Sequence, residues 1–165
     1  MSRSLTVSWQ DPQAARDAGA ELSGIEYLRA LIAGRIAVPP IMRLIGFRFV
    51  LVEEGLVVFE CEPGEQHYNL IGVVHGGLAL TLLDSAMGCC VHTRVPLNKS
   101  STTLEVKVNL VRAITVQTGT VRATGRVIHL GRKTATAEAR LEDAAGKLYA
   151  HGTSTCIILG RGTTL

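Results

Sequence analysis

Aromatic residues are only 4% of this 165-residue chain and charged residues only 19%. Lys and Arg form no run, and the net charge of +3 is scattered. Nucleic-acid binders need a basic stripe, so nothing argues for that partner. A mild positive balance still attracts an anionic small molecule. The four cysteines, Cys61, Cys89, Cys90 and Cys156, include no Cys-x-x-Cys. Cys89 and Cys90 are neighbours on an expected helix and point in different directions. That fits reduced, buried thiols in a cytoplasm better than a disulfide framework or a zinc site. His67, His92, His129 and His151 have no ligand spacing with one another or with the cysteines. No metal is therefore expected, and no cofactor is expected either. Residues 1–17 lack an apolar core of signal-peptide length. The longest apolar stretch, near Leu78 to Val91, is interrupted by Asp84 and falls short of a membrane span. No Gly-x-Ser-x-Gly elbow is present, so serine-hydrolase chemistry is unsupported.

What the chain has in quantity is apolar residues, at 47%. Its length suits one domain with a real core, and much of its surface is expected to be covered by copies of itself. Residues 1 to about 20 are small and polar and read as irregular. From Ser23 to Ala37, Ile25, Leu28, Leu31, Ile32 and Ile36 recur at a helical period, which Pro39-Pro40 stops. Phe47, Phe49 and Leu51 alternate into the turn Glu53-Glu54-Gly55, and the return from Leu56 to Glu62 completes a hairpin. After the apolar helix come four β-rich runs, about Thr102–Val111, Gly119–His129, Thr134–Glu142 and Lys147–Leu159. In the first, Leu104, Val106, Val108 and Leu110 are expected on one face and Thr103, Glu105, Lys107 and Asn109 on the other. Sequential strands with short turns favour an antiparallel sheet with the helix buried against it, an α+β fold.

One stretch gathers the chemistry: Tyr68-Asn-Leu-Ile-Gly-Val-Val-His-Gly-Gly-Leu-Ala-Leu-Thr-Leu-Leu-Asp84. The His75-Gly76-Gly77 entry leaves the first N–H groups of the helix bare and approachable. With the helix dipole behind them, these donors suit a carbonyl oxygen that becomes an anion. Asp84 stands alone among Leu82, Leu83, Ala86 and Met87, which is costly unless the acid is paired or used.

That element order, together with Asn69-x5-His75-Gly76-Gly77-x6-Asp84, resembles the hotdog-fold thioesterases of the PaaI type, which hydrolyse acyl-CoA thioesters. The resemblance covers roughly Pro39 to Leu159 and includes the run Thr102 to Arg112, where such proteins carry a hydroxyl residue at the start of the third strand. It implies an N-terminal helical extension over residues 1–40 and a hotdog domain over residues 41–165. It also implies dimers pairing into tetramers.

A thioester is hydrolysed through a tetrahedral oxyanion, so donors for that oxygen and a group to deliver water or attack directly are needed. Gly76 N–H is the expected oxyanion donor, with Gly77 second, and the resemblance implies the same. Asp84 is the expected general base, or a nucleophile forming a transient anhydride. By resemblance, Asn69 polarises the carbonyl and Thr103 holds the attacking water, with Thr102 in its place should the strand phase differ. Asp84 lies eight positions beyond Gly76, about 12 Å along the helix axis. Two helices packed antiparallel about a two-fold near Leu80 would bring Asp84 of one opposite Gly76 of the other. The expected assembly is thus a homodimer with shared sites, with Ala79, Ser85, Ala86 and Gly88 permitting close approach. Arg132-Lys133 in a hairpin turn would meet the CoA phosphates. Met87, Val91 and the Ile41–Ile45 region would line the acyl pocket.

Each residue also has a plainer reading. The glycines let a chain turn into a helix, Asp84 can be a capped structural acid, and His75 suits a helix cap better than a proton shuttle. Asn69 can brace its loop, and Thr103 is a good strand former. Glu105 alternates with Lys107 on a polar strand face, as solvated charges do. Two other functions fit the pattern less closely: a non-catalytic acyl-CoA binding or sensing module, and an enoyl-CoA hydratase-like enzyme.

Overall fold

Pro40 begins a helix rather than merely stopping one. In the computed structural model, which describes residues 2–160, the N-terminal segment carries three short helices. The expected boundaries of the extension and the domain reach residues 1 and 161–165, which lie outside the described residues. The first helix, α1 (Pro12–Ala18), falls where irregular chain was expected. Its determinants are local: Asp11 accepts the Gln13 N–H at 2.8 Å, and Pro12 supplies a fixed φ at the first helical position. The second, α2 (Gly24–Ile32), starts where the Ser23 N–H bonds the Glu26 carboxylate at 2.9 Å. It ends five residues short of the expected Ala37, because the chain leaves the helix through Gly34 at φ 70°. Then α3 (Pro40–Ile45) closes on Gly46 at φ 77°.

Six strands follow: β1 (Phe47–Glu53), β2 (Leu56–Cys61), β3 (Lys99–Leu110), β4 (Val121–Leu130), β5 (Thr134–Asp143) and β6 (Leu148–Gly160). The long helix α4 (Gly76–His92) lies between β2 and β3 in the chain. All strands join one sheet in the order β1-β2-β4-β5-β6-β3, and every pairing is antiparallel. This is the α+β architecture expected from the element order. β1 and β3 are its edges.

Two bulges change which side chains face inward. In β1 the register slips between Phe49 and Leu51, so Val52 is buried and Leu51 only half-buried. In β3 it slips between Thr103 and Glu105, with Leu104 the extra residue. Leu104 and Leu110 are exposed, whereas Val106 and Val108 pack on the core. Thr103 therefore shares the inner face with Val106 and Val108 and is not on the opposite one. A bulge inserts one residue and inverts the alternation beyond it.

α4 buries Leu78, Ala79, Leu82, Leu83, Ala86, Met87, Cys90 and Val91 against the sheet. Burial of each large side chain among them contributes about 1.5–3 kcal/mol. The sheet receives the helix on alanines: Ala123, Ala135, Ala137, Ala139 and Ala150 are all buried. Gly125 marks the closest approach, since a Cβ there would stand 2.3 Å from the Ala86 carbonyl oxygen. Leu28 and Leu31 of α2 enter this same core. No helix among the described residues is long and apolar enough to cross a membrane.

Candidate active site

The entry to α4 is built by its loop. Asn69 N–H donates to the Val73 carbonyl at 2.8 Å, Val74 N–H to Ile114 at 3.0 Å, and His75 N–H to His67 at 2.7 Å. His67 is itself held, its Nδ1 accepting from Gly64 N–H and its Nε2 bonding the Ile45 carbonyl. The Asn69 side chain closes an Asx-type turn: Oδ1 accepts from the N–H groups of Ile71 and Val73 at 3.0 and 3.3 Å. Its Nδ2 bonds no described residue, so what remains of the amide is a donor.

His75 is the N-cap of α4, its Nδ1 accepting from Gly77 N–H at 2.8 Å. Two consequences follow. The ring acts as a cap with its proton on Nε2, and Gly77 N–H is spent, which removes the second choice of oxyanion donor. Gly76 N–H bonds no described residue and remains open. A Cβ on Gly76 would meet Leu110 Cδ1 at 2.5 Å. Asn69, His75, Gly76, Leu110 and Arg112 line a cavity of about 320 Å3 at this end of the helix.

Asp84 lies in a different cavity, of about 310 Å3. Thr103 Oγ1 donates to Asp84 Oδ1 at 2.9 Å. Thr102 also lines this space but makes no such bond. Cys89 stands beside the acid: burial, with the Asp84 charge adding to it, pushes its thiol up to about 12. Burial likewise raises Cys156 on the facing strand. Both sulfurs stay protonated at neutral pH and are poor nucleophiles.

Several expectations about the walls need correction. Met87 and Val91 are wholly buried against the sheet and do not line the cavity. Ala79 and Ala86 are core as well, so the open side of α4 carries Gly77, Leu80, Thr81, Asp84, Ser85 and Gly88 instead. Ile41 and Met42 do border the cavity. So do residues that pattern reading passed over: Tyr27 and Leu28 of α2, the rings of Phe47, Phe49 and Phe59, and His92 with Ser101. The available signal was the eight-residue interval from Asp84 to His92 on one helix.

Arg132 and Lys133 are exposed in the β4–β5 turn and line neither cavity. The Lys133 carbonyl accepts from Ile158 N–H at 2.8 Å, and Ile158 pairs with Ser101. The turn thus sits at the Thr103 end of the sheet. Glu105 is exposed. No cluster of three or more His, Cys, Asp or Glu among the described residues is placed to hold a metal ion.

Comparison with known proteins fits this geometry. The thioesterase superfamily profile matches residues 71–150. The chain is 30% identical over 104 residues to the 1,4-dihydroxy-2-naphthoyl-CoA hydrolase of Listeria monocytogenes, across 63% of this chain and 83% of that one. Among solved structures it is similar to a conserved protein of Pseudomonas aeruginosa, with 31% identity, TM-score 0.69, and 74% and 95% of the two chains covered. The PaaI protein of Escherichia coli superposes with TM-score 0.72 over 87% of this chain and 99% of that one; at 19% identity this shows shared fold alone. The chain belongs to the thioesterase superfamily and is a PaaI-like thioester hydrolase with the hotdog fold.

Proposed function

We propose that the protein hydrolyses acyl-CoA thioesters at sites shared between two copies of the chain. One observation carries this reading. The open Gly76 N–H and the Thr103-anchored Asp84 lie in separate cavities of one protomer. They are about 12 Å apart along α4, too far for one carbonyl carbon and its oxygen to meet both. An antiparallel second copy of α4, crossing near the exposed Leu80, brings each acid to the other helix's N-terminus. Small Gly77, Thr81 and Ser85 flank that crossing. The twelve-residue edge strand β3, with Leu104 and Leu110 exposed, is a liability that a second copy would cover. Pairing of such dimers gives the tetramer. The CoA part of the reading is supported by the Listeria relative, named for a CoA thioester.

In this reading the thioester carbonyl oxygen accepts from Gly76 N–H and the Asn69 amide of one protomer. Asp84 of the other takes a proton from water as it attacks the carbonyl carbon, or attacks directly to give an anhydride that water then cleaves. Thr103 fixes the carboxylate. Collapse of the oxyanion breaks the C–S bond, and CoA leaves as the thiol once it regains a proton. Residues 41–165 form the catalytic domain, and residues 1–40 are an extension that adds a wall to the acyl cavity. The basic pair Arg132-Lys133 meets CoA phosphate.

The test is Asp84→Asn and Asp84→Ala with thiol release and sedimentation measured together. Turnover is expected to fall by about 10²–10⁴ with the assembly unchanged. Parental rates in both variants, or a parent that sediments as a monomer, would end the reading.

A further inference from the structure

Apart from the two cavities of the proposed hydrolytic site, a cavity of about 490 Å3 lies at the C-terminal end of α2. Its whole wall comes from residues 8–43, ahead of the region 71–150 that matches the superfamily profile. The way α2 ends builds it. Gly34 takes φ 70°, and the N–H groups of Arg35 and Ile36 reach back to the Ala30 carbonyl at 2.9 and 3.3 Å. That turn leaves Arg35 exposed on the cavity wall while Ile36 buries in the core. Arg43 joins from α3, and the N-terminal segment adds Ser8, Trp9 and Gln10.

Arg35 and Arg43 are the charged residues of this wall, which holds no carboxylate. Among the described residues neither guanidinium has a hydrogen-bond or ion-pair partner. The adjoining cavity of about 550 Å3, which shares Arg43, is different: Glu60 and Glu62 line it, and Glu60 takes both Arg48 and Arg122. Charge is balanced there and left positive here. Two like charges facing one concave space favour an anion between them.

Trp9 supplies the second element. Its indole is 59% exposed although it borders a hollow that Ile32 and Val38 make partly apolar. An uncovered indole face stacks well on another planar ring. Paired guanidiniums match the oxygens and the charge of a phosphate. An uncharged ring would leave both cations unmet, and inorganic phosphate would leave the indole bare. A phosphate monoester on a fused two-ring base uses all three groups. The volume falls within the roughly 300–1,000 Å3 typical of small-molecule sites.

We propose that Trp9, Arg35 and Arg43 form a second small-molecule site that takes a purine nucleotide, its base on the Trp9 indole and its phosphate on the two guanidiniums. The site is separate from the hydrolytic machinery and does not depend on that reading. Two sources carry this chemistry: a free mononucleotide, and the phosphorylated adenosine end of CoA.

Trp9 is the chain's single tryptophan, so its fluorescence reports this cavity directly. The full-length protein is titrated with AMP, adenosine 3′,5′-bisphosphate, adenosine and inorganic phosphate, with excitation beyond the absorption of the base. Saturable quenching by at least one of the two nucleotides is expected, with adenosine and phosphate each weaker by about tenfold or more. Tighter binding of the bisphosphate supports the site with CoA as the source, and tighter binding of AMP supports it with a mononucleotide. In Arg35→Gln/Arg43→Gln the nucleotide Kd is expected to rise by about tenfold or more. Both side chains are exposed, and an unchanged urea midpoint checks that the fold is kept. Reversing Arg132 and Lys133 to Glu should leave the Kd at the parent value. No saturable quenching by either nucleotide, equal affinity for adenosine or phosphate, or a Kd indifferent to the Arg35/Arg43 substitutions would overturn the site.

Discussion

Thr103 donates to Asp84 across 2.9 Å because β3 carries Leu104 as an extra residue beside it. The bulge lets Thr103 face α4 while Val106 and Val108 still face the core. A strand without it would have to choose between packing and holding the acid.

Thr103→Val keeps the shape and the β-branch but removes the donor. In the proposed mechanism kcat is expected to drop about 10- to 100-fold with KM little changed, as for loss of one charge-assisted hydrogen bond. Thr103→Ser should recover most of it. Steady-state kinetics on both variants check this, and equal loss in the two would mean the hydroxyl is irrelevant.

Gly125→Ala forces a methyl to within 2.3 Å of the Ala86 carbonyl oxygen, a backbone atom that cannot swing aside. Helix α4 must lift from the sheet. A destabilisation of about 1–3 kcal/mol is expected, read as a lower midpoint in urea. An unchanged midpoint would show that the helix-to-sheet distance has slack.

Burial raises the thiols of Cys61 to about 11 and of Cys89 and Cys90 to about 12. Each starts from an ordinary value near 9, so the folded state holds these protons longer than the unfolded chain does. The stabilisation from this difference is complete below pH 9 and is lost as pH climbs toward 12. Urea midpoints taken between pH 7 and 11 should be level up to about 9 and fall beyond it. In the folded protein these thiols should resist iodoacetamide at pH 7.

Reversing Arg132 and Lys133 to Glu should raise KM for CoA thioesters by about tenfold, and adding salt to the parent should act in the same direction. A thioester of N-acetylcysteamine, which carries no phosphates, should be turned over equally well by parent and variant. Identical KM changes for the two substrates would remove the turn from CoA binding.

The sequence by itself determined the order of strands and long helix from β1 onward, the capped entry to α4 and the placement of a lone acid two turns inside it. These follow from side-chain periods and from the backbone freedom of glycine, which are properties of adjacent residues. The chain also announced its strands to within a few residues, because turn-forming glycines bracket alternating apolar runs. Tertiary structure alone decided the rest. Alternation carries no record of a single inserted residue, so the facing of Thr103 emerged only from its pairing with Cys156. Periodicity says that Met87 and Val91 are buried but not whether a sheet or a cavity covers them. Nor does it say that α2, about seventy residues before β3 and docked against the end of α4, supplies a wall beside His92. Those outcomes depend on which faces meet across long separations, and they are set by packing of the whole chain.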